Sequence, residues 1–300
     1  QWLWEMEDEV RALVPMVYYH VWDNFPVPMY NKPFYDSTDY VVTISKVTEE
    51  IVKTCSPDNF GGHISHAVNS NIFKKLTEQE DIEKVDAIRH NLIQASSTYN
   101  SPSKKKIFFW NNRNARRKQS GTLVWWFKEW LDKVGHDKAV LLMHTDPRDP
   151  HGQDLPHLIE HLGLNQSQVL LSTQKTSSED LAVMYNAADF TINISDAEGF
   201  GLATLESLAC GTPIIVLQVP YIYEDRISQS DFEKMLSKAL RCSKKAYKTM
   251  SDGGINHVKE NFSFDNYEKQ WTELMDKVIE ESGSWETRKN YKRWHLMEVA

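Results

Sequence analysis

The sequence predicts an α/β protein of two domains built on parallel, doubly wound sheets. Three observations carry that expectation. From residue 104 onward, short β-rich apolar runs alternate with helical patterns. Near the amino terminus "VPMVYYHVWD" and "DYVVTIS" show the same habit, each followed by a polar loop or a helical pattern. The 300 residues suffice for a proper core in each of two domains.

The second half reads cleanly. Strand "KIFFW" is followed by a basic loop, helix "TLVWWFKEWLDKVG", strand "AVLLMHT", a Pro/Asp loop and helix "LPHLIEHLGL". Strand "QVLLST", helix "SSEDLAVMYNAA", strand "DFTINIS", a glycine turn and strand "TPIIVLQ" complete it. Five strands joined through helices argue a parallel sheet with right-handed crossovers. Ser177 and Ser178 ahead of Glu179 and Asp180 are helix-start chemistry, with acids at the positive end of the dipole. "GGHISHAV" reads as a further strand upstream. A charged helical pattern from Lys74 decays into a Ser/Asn/Pro/Lys segment near 103, which sets the expected boundaries: 1–103, 104–265, and a last helix with its tail over 266–300.

Composition narrows the partners. Lys and Arg number 34 against 42 Asp and Glu, a net charge of −8, so nucleic acid is not an expected partner and any basic site is local. Cys55, Cys210 and Cys242 lie far apart without ligand spacing, so neither a disulfide framework nor a metal site is expected. No apolar run approaches the roughly 20 residues of a spanning helix, and the acidic start is unlike a signal peptide. These features point to the cytoplasm. Gln1 in place of methionine suggests a piece of something longer. Asn193 heads one of three glycosylation sequons but falls inside a strand, where a sugar could not be attached to a folded chain.

The chemistry concentrates in "DAEGFGLATLESLACGTPIIV", residues 196–216. Gly199 and Gly201 permit close backbone approach, and the amides of Phe200, Gly201 and Leu202 open a helix, a natural place for an anion. Glu198 and Glu206 flank that position; eight residues of helix rise about 12 Å, about the length of a sugar diphosphate. The other reading of these acids is a helix-capping Glu198 and a solvated Glu206. In "WNNRNARRKQ", Arg113 and Lys118 can bring a fork of donors and a point charge to one diphosphate, or can be a charged surface loop. His20, at the end of "YYH", can meet a substrate hydroxyl or simply be packed.

"EGFGLATLESLACGTPIIV", preceded by "DLAVMYNAADFTINIS", resembles the carboxyl-terminal signature of the family 4 (group 1) glycosyltransferases of GT-B fold, and the likeness extends through "NRNARRK", "HISHAVNSNIF" and "TDYVVTISKVTEEIV". It covers about residues 15–275. The resemblance implies two Rossmann-like doubly wound domains facing a cleft, the first of them incomplete here, because the family carries several strands before the segment containing the histidine. It implies a nucleotide-sugar donor, an acceptor that is a glycan, lipid or protein, no metal and no further cofactor. Carried over position by position, Glu198 meets hydroxyls of the donor sugar, Glu206 the ribose, Arg113 and Lys118 the leaving diphosphate, and His20 the donor sugar from the amino-terminal domain. The implied reaction is a retaining transfer.

A non-catalytic nucleotide-sugar-binding homologue is the main rival. A glycoside hydrolase needs its two carboxylates about 5–9.5 Å apart and leaves the basic loop unexplained; an epimerase on the same fold matches the quoted residues less well. In the tail, "SWETRKNYKRWHLMEVA", Arg288, Lys289, Lys292 and Arg293 recur at helical spacing, but Trp285 and Trp294 fall on opposite faces, so membrane docking is not expected.

Overall fold

The computed structural model describes residues 2–22, 26–96, 105–196, 198–216 and 228–291. It divides into two compact units, Gln1–Ala67 with Phe264–Ala300, and Val68–Ser263.

In the first unit, short helices α1 (Trp2–Glu5) and α2 (Glu7–Leu13) precede β1 (Val17–His20), α3 (Lys32–Asp36), β2 (Tyr40–Thr43), α4 (Lys46–Cys55) and β3 (Phe60–His63). The strands pair in parallel in the order β1-β2-β3, with Val17 opposite Tyr40 and His20 opposite Thr43. Ser45 caps α4 by accepting from the Thr48 amide at 3.2 Å, and Ile51, Val52 and Cys55 turn inward onto Tyr35 and Val41.

The second unit opens with α5 (Gln79–Ala95) and continues through β4 (Lys106–Asn111), α6 (Ser120–Val134), β5 (Ala139–His144), α7 (Leu155–His161), β6 (Val169–Ser172) and α8 (Ser178–Ala187). It closes with β7 (Phe190–Asn193), α9 (Leu202–Ala209), β8 (Ile214–Val216), α10 (Gln229–Leu240) and α11 (Lys244–Asn261). Among the described residues the sheet has five parallel strands in the order β6-β5-β4-β7-β8. Alternation sorts the core: Phe108, Trp110, Leu141 and Met143 face α6 and α10, while Ile107, Phe109, Val140 and Leu142 face α8, α9 and α11. Both faces are covered, which is why these strands read as unbroken apolar runs. Ser177 caps α8 by accepting from the Asp180 amide at 3.0 Å, as its sequence predicts.

The division falls at Ala67/Val68 rather than near 103. The cause is α5, whose Arg89 donates to the Ala187 carbonyl and pairs with Asp189 at 3.1 Å, next to β7. Asn186 reinforces this by donating to the Lys74 carbonyl at 3.0 Å and accepting from the Leu76 amide at 3.0 Å. The last helix, α12 (Phe264–Ser282), belongs to the first unit, where Leu274 and Val278 pack on Val42 and Ile64.

The tail departs from the expected helix. Residues 285–287 form a turn and the chain beyond it is irregular; there Arg288, 7% exposed, donates to the Arg11 and Ser282 carbonyls and pairs with Asp39 at 2.8 Å. Arg288 is thereby committed to the protein's own acceptors rather than to an outer basic face; Lys292, Arg293, Trp294 and the rest of the tail lie outside the described residues. Among the described residues no helix is long and apolar enough to cross a membrane.

Candidate functional site

The order β6-β5-β4-β7-β8 reverses direction between β4 and β7: α6 leaves β4 for one face, and α9 follows β7 on the other. In such sheets the loops beyond the carboxyl ends of the two central strands diverge and leave a crevice. Here those loops carry the basic motif and the glycine turn. They are tied together: Gln119 Nε2 donates to Asp196 Oδ2 at 2.6 Å, and the Asp196 amide donates to the Arg117 carbonyl at 2.8 Å. Gln119 holds a left-handed φ of 56° to make this turn before α6.

At the centre stands an ion pair. Lys118 Nζ lies 2.5 Å from Glu198 Oε1, with side chains only 8% and 12% exposed, so solvent screening is weak. Arg117 Nη1 lies 3.8 Å from Glu198 Oε2 and is half exposed. Asn193 Nδ2 donates to Glu198 Oε1 at 3.1 Å. The orientation of that amide is fixed, because Asn193 Oδ1 accepts from the Ser195 amide at 3.2 Å and the Ser195 hydroxyl at 2.7 Å. Glu198 is therefore no helix cap: the residue at the start of α9 is Gly201, with φ 83° and no side-chain cap. Only glycine adopts that angle without strain. Leu202 is exposed as the first helical residue, and the Phe200 ring turns aside to pack edge-on against Phe262, 5.8 Å between centroids. What the Gly199–Leu202 turn offers a ligand is backbone, since the first amides of a helix have no acceptor within it.

Glu206, one turn further on, is half-buried rather than fully solvated. Its Oε2 accepts from the Tyr185 hydroxyl at 2.8 Å, and the Tyr185 oxygen accepts from Asn111 Nδ2 at 2.9 Å. Burial pushes the Glu206 carboxyl above its ordinary range, and the Tyr185 hydrogen bond pulls part of that shift back. Tyr185 is fully buried, and its phenol is pushed far up by burial and by the nearby carboxylate. Asn111 ends β4, so the same strand supports both acidic residues, through Asn111 and through the loop bearing Lys118.

Arg113 lies elsewhere in the loop. It is exposed and forks onto Asp149, Nε to Oδ2 at 2.6 Å and Nη2 to Oδ1 at 3.2 Å, which holds the Asp149 carboxyl well below its usual range. The loop itself is anchored by Asn114, fully buried, which donates to the Gln153 carbonyl at 2.7 Å and accepts from the Ser120 hydroxyl at 2.6 Å. Asn114, Tyr185, Asn111 and Asn193 carry no sequence pattern that marks them as site residues. Asn193 stood out only as a sequon.

His20 belongs to the first unit and is 3% exposed. Its Nε2 lies 2.7 Å from the Tyr35 hydroxyl and its Nδ1 2.9 Å from the Tyr18 hydroxyl. Asn31 Nδ2 donates to the Tyr35 oxygen at 3.2 Å, so the arrangement that satisfies every group has Tyr35 donating to Nε2 and Nδ1–H donating to Tyr18. Burial lowers His20 to about 4, so the ring is neutral at pH 7. With Trp4, Tyr18, Trp22, Phe34 and Tyr35 it lines a cavity of about 430 Å³. The unfolded chain binds this proton more readily than the folded one between pH 6.5 and 4. Stability contributed by neutral His20 is thus lost as pH falls through that window, by up to about 3 kcal/mol. Urea unfolding at pH 7 and 4.5 checks this: the wild type should lose more stability on acidification than His20→Gln, and equal losses would contradict it.

Among the described residues no group of three or more His, Cys, Asp or Glu side chains is placed to hold a metal ion.

Comparison with known proteins places this geometry in context. Residues 95–234 match the family model described as glycosyl transferases group 1. The O-antigen chain mannosyltransferase RfbU of Salmonella typhimurium is 25% identical over 161 residues, 54% of this chain and 42% of that protein. The chain spans less than half the length of the curated relatives it matches. A glycosyltransferase structure from Rickettsia africae superposes with a TM-score of 0.68 at 19% identity, covering 89% of this chain and 71% of that one. Anabaena Alr3699/HepE, solved in complex with UDP-glucose, superposes with a TM-score of 0.65 at 13% identity over 88% of this chain and 72% of that one. At such identities the structures speak for the fold. Residues 95–234 are thus similar to the group 1 glycosyl transferases, and the chain has the GT-B fold.

Proposed function

We propose that the chain binds a nucleoside diphosphate sugar at the β4/β7 crevice and takes part in retaining transfer of the sugar to a hydroxyl acceptor on a glycan, lipid or protein. The observation that carries this reading is the buried Lys118–Glu198 pair beside the α9 amino terminus, with Glu206 held by Tyr185 on the same helix.

In this reading the amides of Phe200, Gly201 and Leu202 receive the diphosphate, Lys118 supplies a cation beside them, Glu206 accepts from the ribose hydroxyls and Glu198 from those of the sugar; Arg113, which here pairs with Asp149, has its diphosphate role by family resemblance. His20 has its role against the sugar by family resemblance. The bond from the anomeric carbon to the phosphate oxygen breaks and its electron pair stays on that oxygen. The acceptor oxygen bonds the anomeric carbon on the same face, and its proton passes to the departing phosphate. Lys118 and the helix amides are preorganised donors where this negative charge grows, a task that metal ions perform in other sites. No cofactor beyond the donor is invoked, and the reaction is assigned to the cytoplasm.

The test is a panel of nucleotide sugars and nucleoside diphosphates screened by thermal unfolding. A ligand that binds only the folded state stabilises it by about 2.7 kcal/mol at a hundred times its Kd. At least one nucleoside diphosphate and its sugar should raise the Tm; a panel that moves nothing would overturn the reading. Binding without release of nucleoside diphosphate in the presence of acceptors would leave the non-catalytic alternative standing.

A further inference from the structure

Resting on that reading, Glu198 and Lys118 have separate ligands, the sugar and the diphosphate, yet they are bound to each other at 2.5 Å. A carboxylate oxygen accepts about two hydrogen bonds, and both positions on Glu198 Oε1 are filled, one by Lys118 and one by Asn193. Two neighbouring sugar hydroxyls need a position on each oxygen. Glu198 cannot offer that until Lys118 leaves.

We infer that the Lys118–Glu198 pair is a latch that makes sugar recognition conditional on a diphosphate. An anion at the α9 amino terminus competes with Glu198 for the ammonium group of Lys118. When the ammonium turns to phosphate, one position on Oε1 opens. Arg117, half exposed and 3.8 Å from Oε2, is the second cation that the anion draws away. Glu198 does not swing free, because Asn193 still donates to Oε1 through an amide whose orientation Ser195 fixes. Asn193 is thus a positioning residue that acts through Glu198. The device selects against free sugars, which bring hydroxyls but no anion, and it shields a nearly buried cation while the site waits.

The latch makes an unusual demand: removing the charge of Glu198 should improve binding of the bare anion. Titration calorimetry with inorganic pyrophosphate and with UDP, GDP and ADP compares wild type with Glu198→Gln. The variant should bind these diphosphates about three- to tenfold tighter, since the anion no longer competes with a carboxylate for Lys118. It should also lose the extra affinity that the sugar moiety confers on the nucleotide sugar. Asn193→Ala should leave the diphosphate affinity within about twofold and weaken the nucleotide sugar at least fivefold, a split that a merely structural defect would not give. Thermal unfolding monitors folding, and Glu198→Ala must move diphosphate affinity in the same direction. Equal or weaker diphosphate binding by the folded Glu198 variants would overturn the latch. The two ideas fail separately: a wild type that binds no nucleotide sinks the proposed function, whereas a wild type that binds a nucleoside diphosphate no more weakly than Glu198→Gln sinks the latch and leaves the proposed function standing.

Discussion

Lys118→Met should lower the rate of the proposed sugar transfer by about 10²- to 10³-fold while nucleotide-sugar affinity falls far less, because in that reading the lysine's attraction strengthens as charge moves onto the departing phosphate. Methionine keeps the packed stem and removes only the ammonium group. The same change also weakens the fold. Glu198 is 12% exposed, and without Lys118 its carboxylate retains Asn193 and the more distant Arg117. Breaking a buried pair by removing one partner typically costs about 3–5 kcal/mol, and these remaining partners put the loss toward the lower end. Single-turnover rates, donor titration and denaturant unfolding measure the three quantities. A variant with unchanged turnover and a raised KM would show that Lys118 only binds.

On the proposed reading Glu206→Gln should weaken nucleoside diphosphate binding by at least about tenfold, because two ribose hydroxyls would lose a charged acceptor. Tyr185→Phe gives a related effect with its own signature. The Tyr185 hydroxyl opposes the upward push of burial on Glu206, so its loss raises the Glu206 carboxyl further. The proposed ribose contact requires the carboxylate, and protonation as pH falls would remove it. Nucleotide affinity in Tyr185→Phe therefore declines at a higher pH than in the wild type. Titrations from pH 8 to 5 decide this, and coincident pH profiles for the two proteins would remove Tyr185 from the account.

The five-stranded sheet is legible because strands buried on both faces are continuous apolar runs, and the Gly199–Gly201 turn is legible because glycine permits close backbone approach. Lys118 and Glu198 were each named from local chemistry, but their pairing was not, since 80 positions separate them and only the β4/β7 adjacency brings the loops together. Asn111, Tyr185 and Asn193 escaped for a related reason: a buried Asn or Tyr has no periodic signature, and its partners appear only once the topology is known. Arg113 illustrates the converse. Its place in a basic loop was plain, but its bidentate partner Asp149 sits after the next strand. For His20, Tyr18 lies on the same face of the strand at the period-two position, while Tyr35 comes from α3 and could not be foreseen. The misplaced boundary has the same origin, since Arg89 finds Asp189 across 100 residues.

In the proposed function Lys118 and the α9 amino terminus share one diphosphate site, with Glu206 reading the nucleoside. Its most direct test is calorimetric titration of the wild type, Lys118→Met and Glu206→Gln with UDP, GDP and ADP side by side. The prediction is saturable one-to-one binding of at least one of these by the wild type, weakened in both variants, with inorganic pyrophosphate affinity reduced by Lys118→Met and spared by Glu206→Gln. A folded wild-type chain that binds none of the three, or binding that neither substitution alters, would contradict it.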